Sequence, residues 1–133
     1  MTTKSRTREE RTKRITPRPL ARLRKLCLAL PDVTETISHG EPTFWTKKRT
    51  FAMFANAATH HGRGRHAVWI KAAPGRQERA VRSAPDRFFV PPYAGPSGWV
   101  GVWLDDVCDW DELADILASA HALLVAERSR KRS

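Results

Sequence analysis

The chain is poor in cysteine, with only Cys27 and Cys108 in 133 residues. The two lie far apart and in no metal-ligand spacing, so neither a disulfide framework nor a zinc site follows from them. Cys27 falls on the apolar face of an expected helix and reads as a buried, inert thiol. No apolar run approaches the roughly 20 residues of a membrane-spanning helix. No secretory signal pattern opens the sequence. The expectation is a cytoplasmic protein with reduced thiols and no membrane partner. Catalytic signatures are lacking as well. There is no Gly-x-Ser-x-Gly, no P-loop, no dinucleotide fingerprint and no His-Glu-x-x-His. An enzyme would have to assemble its residues in space, and the sequence assigns no catalytic residue, metal ligand or cofactor.

Acidic residues are in deficit too. Fourteen Asp and Glu stand against 24 Lys and Arg, for a formal net charge of +10 and a pI near 10.6. Such a balance favours polyanionic partners. Most of the excess sits at the ends. Lys4, Arg6, Arg8, Arg11, Lys13 and Arg14 face only Glu9 and Glu10, and Arg128, Arg130, Lys131 and Arg132 face only Glu127. Residues 1–15 show no apolar periodicity and read as a disordered basic arm. Residues 16–126 read as one α+β domain, long enough for a core without disulfides or metal. Residues 127–133 read as a basic C-terminal tail, and the chain as a monomer.

Within the domain the periodicities are distinct. Leu20, Leu23, Cys27 and Leu30 recur at helical spacing over residues 17–30, with Thr16 as the cap and Pro31 as the stop. Residues 34–38 alternate weakly. Residues 43–47 and 50–56 suggest a hairpin turning at Lys48-Arg49. Residues 57–65 form a polar loop with His60 and His61. Residues 66–71 read as a strand, 74–84 as a short helix with Arg76, Arg79 and Arg82 along its exposed side, and 99–104 as a strand. Asp109 and Glu112 have the spacing of a capping box. Leu113, Ile116, Leu117, Ala120 and Leu124 then form one apolar stripe. The order predicts an antiparallel sheet with helices packed on one face.

The aromatic residues supply the candidate site. If Val68, Ile70, Val100, Val102 and Leu104 meet the helices, alternation turns their neighbours outward. Trp45, Lys47, Trp69, Lys71, Trp99 and Trp103 then share the opposite face, with Tyr93 in the adjoining loop. Gly101 lowers the wall between Trp99 and Trp103. Indoles beside ammonium groups can stack bases and neutralise phosphates. The competing reading is that loops or the tails cover these rings, or that they mainly stabilise cross-strand pairs. Of the histidines, His39 reads as fixing a turn, and His60-His61 as part of an exposed loop, since two adjacent metal ligands need a third. The carboxylates between Asp105 and Asp115 could hold a cation, but Asp109, Asp111 and Glu112 are accounted for by the N-terminus of a helix.

The motif His39-Gly40-Glu41-Pro42-Thr43-Phe44, followed by Lys48, Phe51 and Ala52, resembles the YjbR/MmcQ family of small bacterial proteins. So do Pro91-Pro92-Tyr93 and the run from Gly98 to Asp105. The resemblance covers residues 20–126. It implies a CyaY-like fold, a curved antiparallel sheet with helices against one face and the other face open. It also implies DNA binding, a label that rests on likeness to the double-wing domain of a phage transcription factor and so on fold alone. No catalytic set comes with it. Together these readings predict a non-catalytic protein that binds nucleic acid, DNA above all, through basic tails and an aromatic sheet face. The alternative is a protein- or small-ligand-binding module using the same face; an uncharacterised enzyme is the third reading.

Overall fold

The structure is a computed structural model that describes residues 16–132, with side chains through residue 127. The expected basic arm lies outside the described residues. Helix α1, Arg18–Leu28, carries proline in its first turn, where no intrahelical N–H is lost. Pro17 occupies the N-cap and no side-chain cap bond forms there, so the helix begins later than capping by Thr16 predicts. Leu20, Leu23 and Cys27 point into the core.

Four strands follow: β1 (Val33–Ser38), β2 (Glu41–Thr46), β3 (Arg49–Ala55) and β4 (Ala67–Ile70). His39 and Gly40, at φ 54° and 80°, link β1 to β2 in the left-handed conformations that a type I′ hairpin turn requires. The β2–β3 turn is Lys47-Lys48, one residue earlier than expected, with Lys47 at φ 59°. Helix α2 (Arg76–Ser83), the short β5 (Phe88–Phe89), a 3-10 turn at Gly95–Ser97 and β6 (Val100–Trp103) lead to the long helix α3, Trp110–Arg132. Its backbone continues through most of the segment read as a tail. The six strands pair antiparallel in the order β1-β2-β3-β4-β6-β5. The sheet is open, and the fold is α+β as expected.

Alternation decides the two faces. Val68, Ile70, Val100, Val102 and Leu104 join Phe44, Ala52 and Phe54 against α1 and α3, where Leu23, Leu113, Leu117 and Ala120 meet them. Ala80 and Val81 of α2 pack on the same core. Met53, Ala55, Ala67 and Trp69 form a second cluster on the other face, flanked by Phe89, Ala94, Trp99 and Trp103. One irregularity controls the register. Phe44 pairs with Ala52 but Trp45 with Thr50, so Phe51 is the extra residue of a bulge. The bulge lets both Phe51 and Ala52 enter the helix-side core while Thr50 and Trp45 line the other face.

Polar ties hold the helices in place. Arg24 donates two hydrogen bonds of 2.7 Å to Glu35, fixing α1 to β1. Asp109 Oδ1 accepts from the Glu112 N–H at 3.0 Å, as a helix N-cap should. The Glu112 side chain does not close the box; it accepts from Arg87 at 2.8 Å instead. Leu117 is fully buried between α3 and the sheet. Leu117→Ala should therefore cost about 2–5 kcal/mol of stability, read as a lower midpoint in chemical denaturation; an unchanged midpoint would contradict this assignment of faces.

Candidate functional site: an aromatic groove on the open sheet face

The sheet face away from the helices holds a groove of about 1090 Å³. Its floor is Thr43 and Trp45 from β2, Thr50 and Met53 from β3, and Trp69 and Lys71 from β4 and its end. One wall is the loop 56–66, which contributes His60 and His61. The other is the loop after β5, which contributes Tyr93, Ala94, Ser97 and Trp99. His39 and Lys48 come from the two hairpin turns at the rim, and Arg49 from the start of β3. The walls are anchored from outside the groove. Gln77 on α2 is buried and donates to the carbonyls of Gly95 (3.0 Å) and Trp99 (2.6 Å), pinning the aromatic loop. Gly62 lets the opposite loop close, because a Cβ there would lie 2.3 Å from the Asn56 carbonyl oxygen.

The expected face residues divide. Trp45, Trp69, Lys71, Tyr93 and Trp99 come together in the groove. Lys47 and Trp103 do not. Lys47 occupies the exposed β2–β3 turn, and Lys48 takes its place at the rim. Trp103 lies under other groups: Phe89 stacks on it at 4.1 Å between ring centroids, and the Arg65 guanidinium sits 4.0 Å from its ring centre. Gly101 makes room for that stack, not for a ligand, since a Cβ there would fall 2.3 Å from the Phe89 ring. Arg65 also donates to Asp105 at 2.7 Å, and that bond holds the Asp105 carboxyl below the usual range. For Trp103, cover by neighbouring rings is what the fold provides.

Exposure differs among the groove rings. Trp69 is 3 % exposed and serves as floor, whereas Tyr93 is 78 % exposed and stands over the rim. Tyr93 has φ 66°, a left-handed conformation costly for a bulky residue. Trp45 and Trp99 are half-buried. The charges are partly committed. Glu127 of α3 pairs with Arg49 at 2.6 Å and with Lys71 at 3.8 Å, while Lys48 makes no ion pair among the described residues.

Sequence reasoning missed one constellation. His61 is not an exposed loop residue; its side chain is 8 % exposed and its Nδ1 lies 3.0 Å from Glu41 Oε2. Glu41 is itself buried. Its position beside His39-Gly40 in the recognised motif was the available signal. His60 packs against His61 at 4.0 Å and faces Tyr93 edge-on at 6.4 Å. Among the described residues no three His, Cys, Asp or Glu side chains converge to hold a metal ion. None of the helices described is long and apolar enough to cross a membrane.

An open antiparallel sheet with helices on one face and an aromatic groove on the other defines a small α+β single-sheet protein. Residues 28–123 match the YjbR family, and the chain belongs to it. The crystal structure of Deinococcus radiodurans protein DR2400, described as a DUF419 domain, is similar to it with a TM-score of 0.65. The two share 21% identity over 79% of this chain and 77% of that one, a likeness that establishes fold alone. No curated protein matches the chain.

Neither cysteine offers a reactive thiolate to this face. Burial pushes the Cys27 thiol far up, with Glu35 adding to the effect. Burial also pushes Cys108 up to about 11, with Asp109 and Asp105 raising it and Arg22 and Arg87 opposing. In the folded protein a thiol-specific reagent should label Cys108 slowly near neutral pH and faster as the pH nears 11, and Cys27 only on unfolding. Fast labelling of Cys27 in the native state would contradict its burial.

Proposed function

We propose that the protein binds single-stranded nucleic acid, DNA above all, with bases in the aromatic groove and phosphates at its basic rim. The observation that carries this reading is the gathering of Trp45, Trp99 and Tyr93 beside Lys48, Arg49 and Lys71 in one concavity. Bases stack on such rings with little regard to sequence, each contact contributing ~1–3 kcal/mol. The net charge of +10 adds long-range attraction that does not depend on the groove. A duplex keeps its bases paired and stacked, so it gains only the charge term. The protein acts here as a binder without catalysis, in the cytoplasm and as a monomer.

A second reading, a pocket for a small aromatic anion, draws on two observations. The groove volume is close to that of ordinary small-molecule sites, ~300–1,000 Å³. Glu127 offsets part of the positive charge at one end. The two readings differ in salt response, because each neutralised phosphate releases counterions and stacking releases none.

The test is a salt-series titration of the full chain against single- and double-stranded DNA of equal length. Affinity for the single strand should exceed that for the duplex and fall steeply with salt. Trp99→Ala should weaken single-strand binding by roughly 1–3 kcal/mol and leave the salt slope unchanged. In the opposite pattern, Lys48→Ala should lower the slope by about one and act on both nucleic acids. Equal affinity for both forms, untouched by Trp99→Ala, would confine nucleic-acid binding to charge and return the groove to the small-ligand reading.

A further inference from the structure

Behind the groove wall lies a buried carboxylate, at the start of β2, that neither stacking nor phosphate binding explains. Glu41 is 1 % exposed. Its Oε2 accepts from the Asn56 N–H at 3.2 Å and the Thr59 hydroxyl at 2.6 Å, and meets His61 Nδ1 at 3.0 Å. A carboxylate oxygen so placed is an acceptor, so the proton of that third bond belongs to Nδ1. The neutral ring then carries its lone pair on Nε2. Nε2 has no partner among the described residues and is not one of the fully buried unpaired atoms, so it keeps some solvent access on a ring that lines the groove. The ring is held on other sides too. Trp69 meets it edge-to-face at 5.4 Å, and His60 packs on it at 4.0 Å.

The charged groups of the groove, Lys48, Arg49 and Lys71, are all donors. The hydroxyls of Thr43 and Thr50 can rotate, and that of Thr43 donates to the Glu41 carbonyl at 3.0 Å. Of the three imidazoles that line the groove, His39, His60 and His61, His61 is the one whose ring is oriented by a hydrogen bond to a carboxylate, so its Nε2 is a fixed acceptor for the edge N–H of a planar ring entering the groove. The carboxylate that fixes this acceptor is buried behind it, where it does not confront a phosphate at contact distance.

We propose that His61 Nε2 accepts a hydrogen bond from the Watson–Crick edge of a base seated in the groove, with Glu41 as the positioning residue. The proposal rests on the nucleic-acid reading above and adds a rule of selection to it. Rings that carry an N–H donor on that edge are preferred to the same rings alkylated there.

Thymine makes the rule testable, because its single N–H donor is at N3 and methylation there leaves the ring face and the phosphates in place. The full chain is titrated with oligothymidylate and with its N3-methylated counterpart, at low salt and mildly alkaline pH. The methylated strand should bind roughly tenfold more weakly, the usual cost of leaving a polar group unpaired. His61→Phe keeps an aromatic ring and should bind both strands alike. Glu41→Gln can still accept from Nδ1 and should keep most of the difference. Nitrogen NMR of the histidine rings gives a reading that needs no variant. His61 should be protonated at Nδ1, and its Nε2 resonance should move with oligothymidylate and not with the methylated strand. Equal affinity of the wild-type protein for the two strands overturns the role of His61 and leaves the groove reading standing. A preference that persists in His61→Phe also overturns it. Failure of both strands to bind, with unchanged tryptophan fluorescence, removes the groove reading and this proposal together.

Discussion

A single sheet with two apolar faces is the constraint on which the rest of this structure depends. Along β4 and β6, Val68, Ile70, Val100 and Val102 turn to one side, and Trp69, Trp99 and Trp103 to the other. Each side must be shielded from water. Three helices cover the first. On the second, β5 lays Phe89 on Gly101 and Trp103, and the chain between β5 and β6 folds back over a further part. It stops short of the strands nearer β2, and the groove is what remains uncovered.

The same economy sets the chemistry of the groove. Its floor is made of residues whose neighbours along the strand are already buried in the helix-side core, so their positions are rigid. The bulge at Phe51 is the clearest case. It inserts a large ring into the core and, by the shift of one residue, turns Thr50 and Trp45 toward the groove. Rigidity of this kind lowers the ordering cost of binding a flat ligand. The walls are loops, but each has a buried polar anchor. Gln77 holds one through two backbone carbonyls, and Glu41 holds the other through Asn56, Thr59 and His61. Buried polar groups are costly unless fully paired, and paired they fix geometry.

Charge is distributed on a different principle. The excess of Lys and Arg is concentrated near the chain ends, while the groove rim holds few cations and shares Glu127 with two of them. On the proposed reading, attraction over distance and recognition at contact fall to different parts of the molecule. Salt weakens the first and leaves stacking largely intact.

The local periodicities by themselves determined the helices, five of the six strands and the two faces, while the two residues of β5 are too few to carry a pattern. Apolar residues at 3.6-residue and two-residue spacing have one way to share a core, so Leu23, Leu117, Val100 and Val102 were legible as neighbours. The motif around His39-Gly40-Glu41 and the run from Gly98 to Asp105 were enough to indicate the family. Tertiary structure alone decided which aromatics line the groove. Alternation assigns a side chain to a face but says nothing of what lies over it, so Trp103 and Trp99 looked equivalent until Phe89 and Arg65 covered one of them. The turn that displaced Lys47 moved by a single residue, and in a hairpin one residue changes the face. The Glu41–His61 pair spans 20 residues. No periodicity connects positions that meet only when a loop closes against a strand, and that closure is a property of the folded chain.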